Sequence, residues 1–144
     1  MWGVFLDIGL VIEKVGSVLK DDDRVSFCLL FGSLVRGVWG ENSDIDIAIY
    51  PKGKLSVDDR LDILYEIAKC LNVNEDKLDL VVLDDLTPLE LRYRIFRNGV
   101  PVVIKDVVAY RRYRDKSISM YLDFKVFIDK LRLVERYLDK IRVE

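Results

Sequence analysis

The run VSFCLLF, Val25–Phe31, constrains the fold more than any other stretch of the chain. Its seven residues are too few for a stable helix and almost all apolar, with Arg24 before them and Gly32 after. That is the pattern of a strand buried on both faces, which requires neighbours in a sheet and helices over it. Three more strand signals supply the neighbours: DIDIAIY, alternating and ending at Pro51; KLDLVVL, Lys77–Leu83; and VPVVIK, Val100–Lys105.

Helical patterns fill the intervals. Phe5, Ile8, Ile12, Val15 and Leu19 recur at helical spacing before KDDDR, where Asp21–Asp23 read as a solvated loop. SLVRG allows a brief helix ending at Gly37 or Gly40. Ser56 and Asp59 form a capping box for a helix whose apolar face is Leu61, Leu64, Ala68 and Leu71. Thr87, Pro88 and Glu90 offer a second helix start, and Asn98-Gly99 its stop. From Val107 onward the pattern is helical, with Phe124, Phe127, Leu131, Val134, Leu138 and Ile141 on one stripe. The expected fold is therefore α+β, a mixed sheet of about four strands packed by helices, with a long C-terminal helix. The 144 residues suit one domain spanning 1–144.

Composition narrows the chemistry. A formal net charge of -2 provides no overall basic field, so neither direct nucleic-acid binding nor membrane attachment is expected. The apolar N-terminal segment is interrupted by Asp7, Glu13 and Lys14 and has no basic leader, so neither a signal peptide nor a membrane span is read there. Cys28 and Cys70 lie far apart in apolar stretches and read as free thiols, which fits a reducing, cytoplasmic setting. With no histidine, Ser-His, Cys-His and His-zinc chemistry are excluded for this chain alone.

The acids in DIDIAIY are the anomaly that points to function. On a strand, Asp44 and Asp46 share a face about 6–7 Å apart along the backbone. Such a pair repels itself unless a cation neutralises it, and all-oxygen donors suit Mg²⁺ or Mn²⁺. Asp79, on the strand KLDLVVL, is the natural third acid, in preference to Asp84 and Asp85 near the far end of that run. Gly32 and Ser33 occupy a strand-to-helix turn whose free N–H groups make an anion site, and Arg36 lies one turn further on. A phosphate cradle followed by a metal clamp suits phosphoryl or nucleotidyl transfer by two metal ions. The similar Gly16-Ser17 lies within an amphipathic helix and reads as packing.

Gly-Ser, ten residues, Asp-x-Asp and a later strand aspartate together resemble the nucleotidyltransferase superfamily related to DNA polymerase β. More narrowly, LLFGSLVRGVWGENSDIDIAIY, KLDLVVLDDLTPLELRYRIFRNGVPVVIKD and YLDFK resemble the minimal nucleotidyltransferase (MNT) antitoxins of HEPN/MNT toxin–antitoxin pairs. The resemblance implies that Gly32, Ser33 and Arg36 bind nucleotide phosphates. It also implies that Asp44, Asp46 and Asp79 hold two Mg²⁺ ions as the catalytic and metal-binding carboxylates. The implied reaction transfers AMP from ATP to a tyrosine of a cognate HEPN-domain ribonuclease toxin. Leu34 and Val35 depart from the polar residue and alanine common in the family. Two other readings compete: an antitoxin that neutralises its partner by binding alone, and a small-molecule adenylyltransferase, for which no acceptor-binding domain is visible.

Two C-terminal features remain. YRRYRDK, Tyr110–Lys116, reads as a solvated basic face ahead of a contact with RNA or a nucleotide tail. The stripe containing Phe124 and Phe127 reads as core, with a helix long enough to leave an end that docks on another chain, as a homo- or hetero-oligomer.

Overall fold

The structure, a computed structural model, describes residues 7–38, 40 and 42–143. Four strands, β1 (Val25–Phe31), β2 (Ile45–Pro51), β3 (Leu78–Val82) and β4 (Val100–Ile104), form one mixed sheet in the order β3-β2-β1-β4. β1 is antiparallel to both β2 and β4, whereas β2 and β3 are parallel and are joined by a crossover through α3 (Val57–Leu71). The other helices are α1 (Ile8–Leu19), the single turn α2 (Ser33–Arg36), α4 (Leu89–Asn98) and α5 (Val107–Val143).

β1 is central, and its two faces build two cores. Cys28 and Leu30 join Ile45, Ile47 and Ile49 of β2 beneath α1 and α3. Phe27 and Leu29 join Ala48, Ile95 of α4 and Tyr113 of α5 on the other side. This double burial is why the run is continuously apolar. The second core is aromatic: Phe27 stacks on Tyr50 with centroids 4.9 Å apart and meets Tyr110 edge-on at 5.1 Å.

Several local expectations shift. α1 buries Val11, Val15 and Leu19, with Ile8 and Ile12 flanking; Phe5 lies outside the described residues. The Ser56–Asp59 capping box forms, but α3 buries Ile63, Ile67, Ala68 and Leu71 and leaves Leu61 exposed. The isoleucines at a spacing of four set the phase of that face. Thr87 does not cap α4. Its hydroxyl accepts from the Asp84 N–H at 3.0 Å and donates to the Asp84 carboxylate, closing a turn, and Pro88 takes the cap position without a side-chain bond. Asp22 is not solvated: its side chain pairs with Arg24 at 2.9 Å, and that guanidinium also reaches Asp59 and Asp62. The hydrogen bond from Arg24 holds the Asp22 carboxyl below its ordinary range.

YRRYRDK divides. Tyr110 and Tyr113 turn into the aromatic core, while Arg111 and Arg112 stay in solvent. Tyr113 donates to the Asp84 carbonyl at 2.7 Å. The buried Arg92 lies 4.4 Å over the Tyr113 ring and donates from Nε to the Ser117 hydroxyl at 2.8 Å. The stripe from Phe124 to Ile141 is not core: each of its six residues is between 43% and 56% exposed. Its partner within the fold, α4, is only ten residues long.

Gly99 ends α4 with ordinary extended backbone, so its conformation does not demand glycine. Space does: a Cβ there would stand 2.2 Å from the Ile95 carbonyl oxygen and 2.9 Å from that of Leu30. Gly99→Ala is therefore expected to destabilise the fold by about 2 kcal/mol or more, measured by urea unfolding against the wild-type chain.

Candidate functional site

The pairing of three strands assembles the site. In the register, Asp46 is opposite Phe31 of β1 on one side and opposite Asp79 of β3 on the other. The parity that sends Ile45, Ile47 and Ile49 into the first core turns Asp46 to the α4 side. Asp46 and Asp79 thus stand side by side at one end of the sheet, half-buried and exposed respectively. Asp44 precedes β2 instead of lying on it, and is exposed. Asp84 and Asp85 fall in the turn beyond β3, where Asp84 is engaged by Leu86 and Thr87.

The turn after β1 closes over these acids. Gly32 has φ +77, and a Cβ on it would lie 1.9 Å from Oδ2 of Asp46. Glycine is required twice there, for the left-handed backbone and for contact with the carboxylate. Ser33 opens α2, and Gly37 ends it in a left-handed conformation. With only four residues, α2 has little dipole. Any anion affinity of the turn rests on local N–H groups, the Ser33 hydroxyl and Arg36.

A cavity of about 360 Å³ opens at this point. Gly32, Ser33 and Arg36 form one wall, Asp46 and Asp79 the acidic side, and Phe31, Val81 and Leu91 an apolar lining. Arg94 and Asn98 of α4 complete the rim. Five of the six sequence-derived residues therefore line one pocket, and Asp44 stands outside its lining. Arg94 and Asn98 were not identified from sequence: each sits in an amphipathic helix among other polar residues, and only the docking of α4 turns them to the pocket.

The electrostatics are asymmetric. Burial raises the Asp46 carboxyl to about 6, with the neighbouring Asp79 and the more remote Asp44 adding to the rise and Arg36 opposing it. The donors are all oxygen, the chemistry of Mg²⁺ or Mn²⁺. A divalent cation would relieve the repulsion within this pair, so the residues present fit such an ion. Among the described residues no three acidic side chains converge as they are placed. No helix among them is long and apolar enough to cross a membrane.

Comparison with known proteins accords with this geometry. No curated protein matches the chain. Among solved structures, the chain is similar to one from a toxin–antitoxin complex solved with AMP-PNP, at 25% identity and a TM-score of 0.65. That likeness covers 84% of this chain and 98% of the other. It shares its fold with a chain of the tri-AMPylated Shewanella oneidensis HEPN toxin in complex with MNT antitoxin, at 23% identity and a TM-score of 0.60, over 86% of this chain and 98% of that one. A chain of an MntA-HepT toxin–antitoxin structure gives 24% identity and a TM-score of 0.60 over the same shares. Residues 13–107, which include both strands that carry the acids and the turn above them, match the family described as Polymerase beta, Nucleotidyltransferase, and the chain belongs to that nucleotidyltransferase family.

Proposed function

We propose that this chain is an antitoxin that transfers AMP from ATP to a tyrosine hydroxyl of a HEPN-type toxin. The observation that carries the reading is the Asp46–Asp79 pair lining one cavity together with the Gly32–Ser33 turn, which rests against Asp46. Support also comes from the likeness to a toxin–antitoxin chain solved with AMP-PNP. The Shewanella oneidensis relative of the same fold sits in a complex whose toxin is AMPylated.

In this reading the N–H groups of Gly32 and Ser33, with the Ser33 hydroxyl, hold the β- and γ-phosphates. Arg36 and Arg94, both in the lining of the cavity, draw the triphosphate in and orient it. The apolar lining of Phe31, Val81 and Leu91 limits water around the α-phosphate. Asp44, Asp46 and Asp79 would supply the oxygen donors for Mg²⁺ or Mn²⁺. Two such ions, when bound, neutralise the phosphates and lower the pKa of the acceptor hydroxyl. The tyrosine oxygen forms a bond to the α-phosphorus, the bond from that phosphorus to the bridging oxygen of the β-phosphate breaks, and pyrophosphate leaves. Asp79, the more exposed carboxylate, receives the tyrosine proton.

The direct test incubates the chain with ATP, Mg²⁺ and the HEPN-type product of a neighbouring gene, and reads the intact mass of both proteins. Adenylyl additions on the toxin are expected. Asp46→Asn should slow them more than about 100-fold, since even the outer partners of metal ligands cost about 10–100-fold when changed. Normal modification by that variant would overturn the site assignment, and a toxin silenced without any mass change would favour neutralisation by binding alone.

Arg94 gives a second test. Arg94→Ala should weaken ATP binding about tenfold, seen as a higher KM for ATP, while melting at the wild-type temperature.

Stability gives a third. An acid whose folded pKa lies above its unfolded value holds its proton more tightly when folded, so stability falls as pH rises from 3.8 through about 6. Without added metal, Asp46→Asn should therefore be more stable than wild type at pH 8, by on the order of 1 kcal/mol after discounting for solvent screening. The advantage should vanish below pH 3.8. Added Mg²⁺ should raise the melting temperature of the wild type and leave that of the variant unchanged.

A further inference from the structure

The family match ends at residue 107, where the 37-residue α5 begins. Its first half has a partner. Phe96 of α4 meets Tyr110, Arg92 bonds Ser117 and Tyr93 packs on Tyr121 with ring centroids 4.3 Å apart, so the two helices run antiparallel. α4 starts at Leu89, about one turn past the last of these contacts. Beyond it, α5 continues for about 30 Å with no helix or strand packed on it among the described residues.

The unpartnered part carries a heptad repeat. Phe124, Phe127, Leu131, Val134, Leu138 and Ile141 alternate by three and four without interruption. They continue the face that Tyr113 and Ser117 turn toward α4. Leu122, Val126, Leu133 and Tyr137 are exposed on the other side, but Asp129 and Lys130 break that second stripe.

We propose that this seam pairs in antiparallel with α5 of a second copy of the chain. The sequence fits itself in that direction. Centred between Arg132 and Leu133, the pairing puts Phe124 against Ile141 of the partner subunit, Phe127 against Leu138 of the partner subunit, and Leu131 against Val134 of the partner subunit. Flanking positions bring Tyr121 beside Arg142 of the partner subunit and Lys130 beside Tyr137 of the partner subunit, both cation–aromatic neighbours. The half-exposed side chains of both copies hide on the order of 1,000 Å², enough for a specific interface. A parallel pair fails sterically, because the seam faces the same way as the α4 contact and both domains would fill the same space. The antiparallel pair sets the two domains at opposite ends of the paired helices.

Size-exclusion chromatography with light scattering on the purified full chain, at micromolar concentration, tests this directly. A mass near twice 16.8 kDa is expected. Leu131→Asp/Val134→Asp should be monomeric with an unchanged melting temperature of the globular part, while Leu133→Asp should remain dimeric. Direction is read by oxidation: a mixture of Phe124→Cys and Ile141→Cys chains should cross-link to each other, and Phe124→Cys alone should not. A monomeric wild type, including one whose tail binds only a toxin, overturns the proposal. So does a dimer that survives the double variant or is lost with Leu133→Asp, and so does self-cross-linking of Phe124→Cys.

Discussion

Everything at the candidate site follows from the way β2 is held between β1 and β3. β2 meets an antiparallel neighbour on one side and a parallel one on the other, and the register aligns Phe31, Asp46 and Asp79 across three strands. A slip of one residue would send Asp46 into the core beside Val15 and Ile67 and turn Ile45 or Ile47 to the cavity. Burial of the three isoleucines of β2 therefore fixes where the carboxylate points. The apolar core and the acidic site are two consequences of one alternation.

The sheet was legible because its strands are short runs of distinctive type, each bounded by charge, glycine or proline. That Gly32, Ser33, Arg36, Asp46 and Asp79 meet at one cavity was legible for a different reason: they occur at a spacing that a core-directed strand does not explain. What was not legible depends on contacts made by other elements. Leu61 and Ile63 are equally apolar, and only packing under the sheet decides which is buried. Thr87 has the sequence of a cap, yet Asp84 offers it a closer turn. Arg94 looks like any solvated arginine until α4 is docked. The tyrosines of YRRYRDK look like part of a basic surface until Phe27 and Tyr50 are placed beneath them.

Buried polar groups show how the second core tolerates charge near the site. Arg92 is among the largest fully buried side chains, and its Nη2 has no hydrogen-bond partner among the described residues. Its guanidinium is compensated in part by the Tyr113 ring and the Ser117 hydroxyl, which in turn donates to the Tyr113 carbonyl. This chain of contacts ties α4 to the first half of α5. The orientation of Arg94 and Asn98, two and six residues further along α4, depends on that tie although neither residue takes part in it.

Gly32 joins the turn and the acids into one mechanical unit. Its missing side chain lets the backbone rest on the Asp46 carboxylate, with no room for an intervening atom. A shift of that carboxylate is consequently felt at the turn. The two charged walls also need opposite things: the acids of β2 and β3 are relieved by cations, and the arginines of α2 and α4 by anions. A triphosphate carrying a divalent ion, the substrate of the proposed function, would satisfy both at once, whereas either component alone would relieve only one wall. If the proposed function holds, the metal and the nucleotide would strengthen each other's binding, because each would remove a repulsion that the other would otherwise meet.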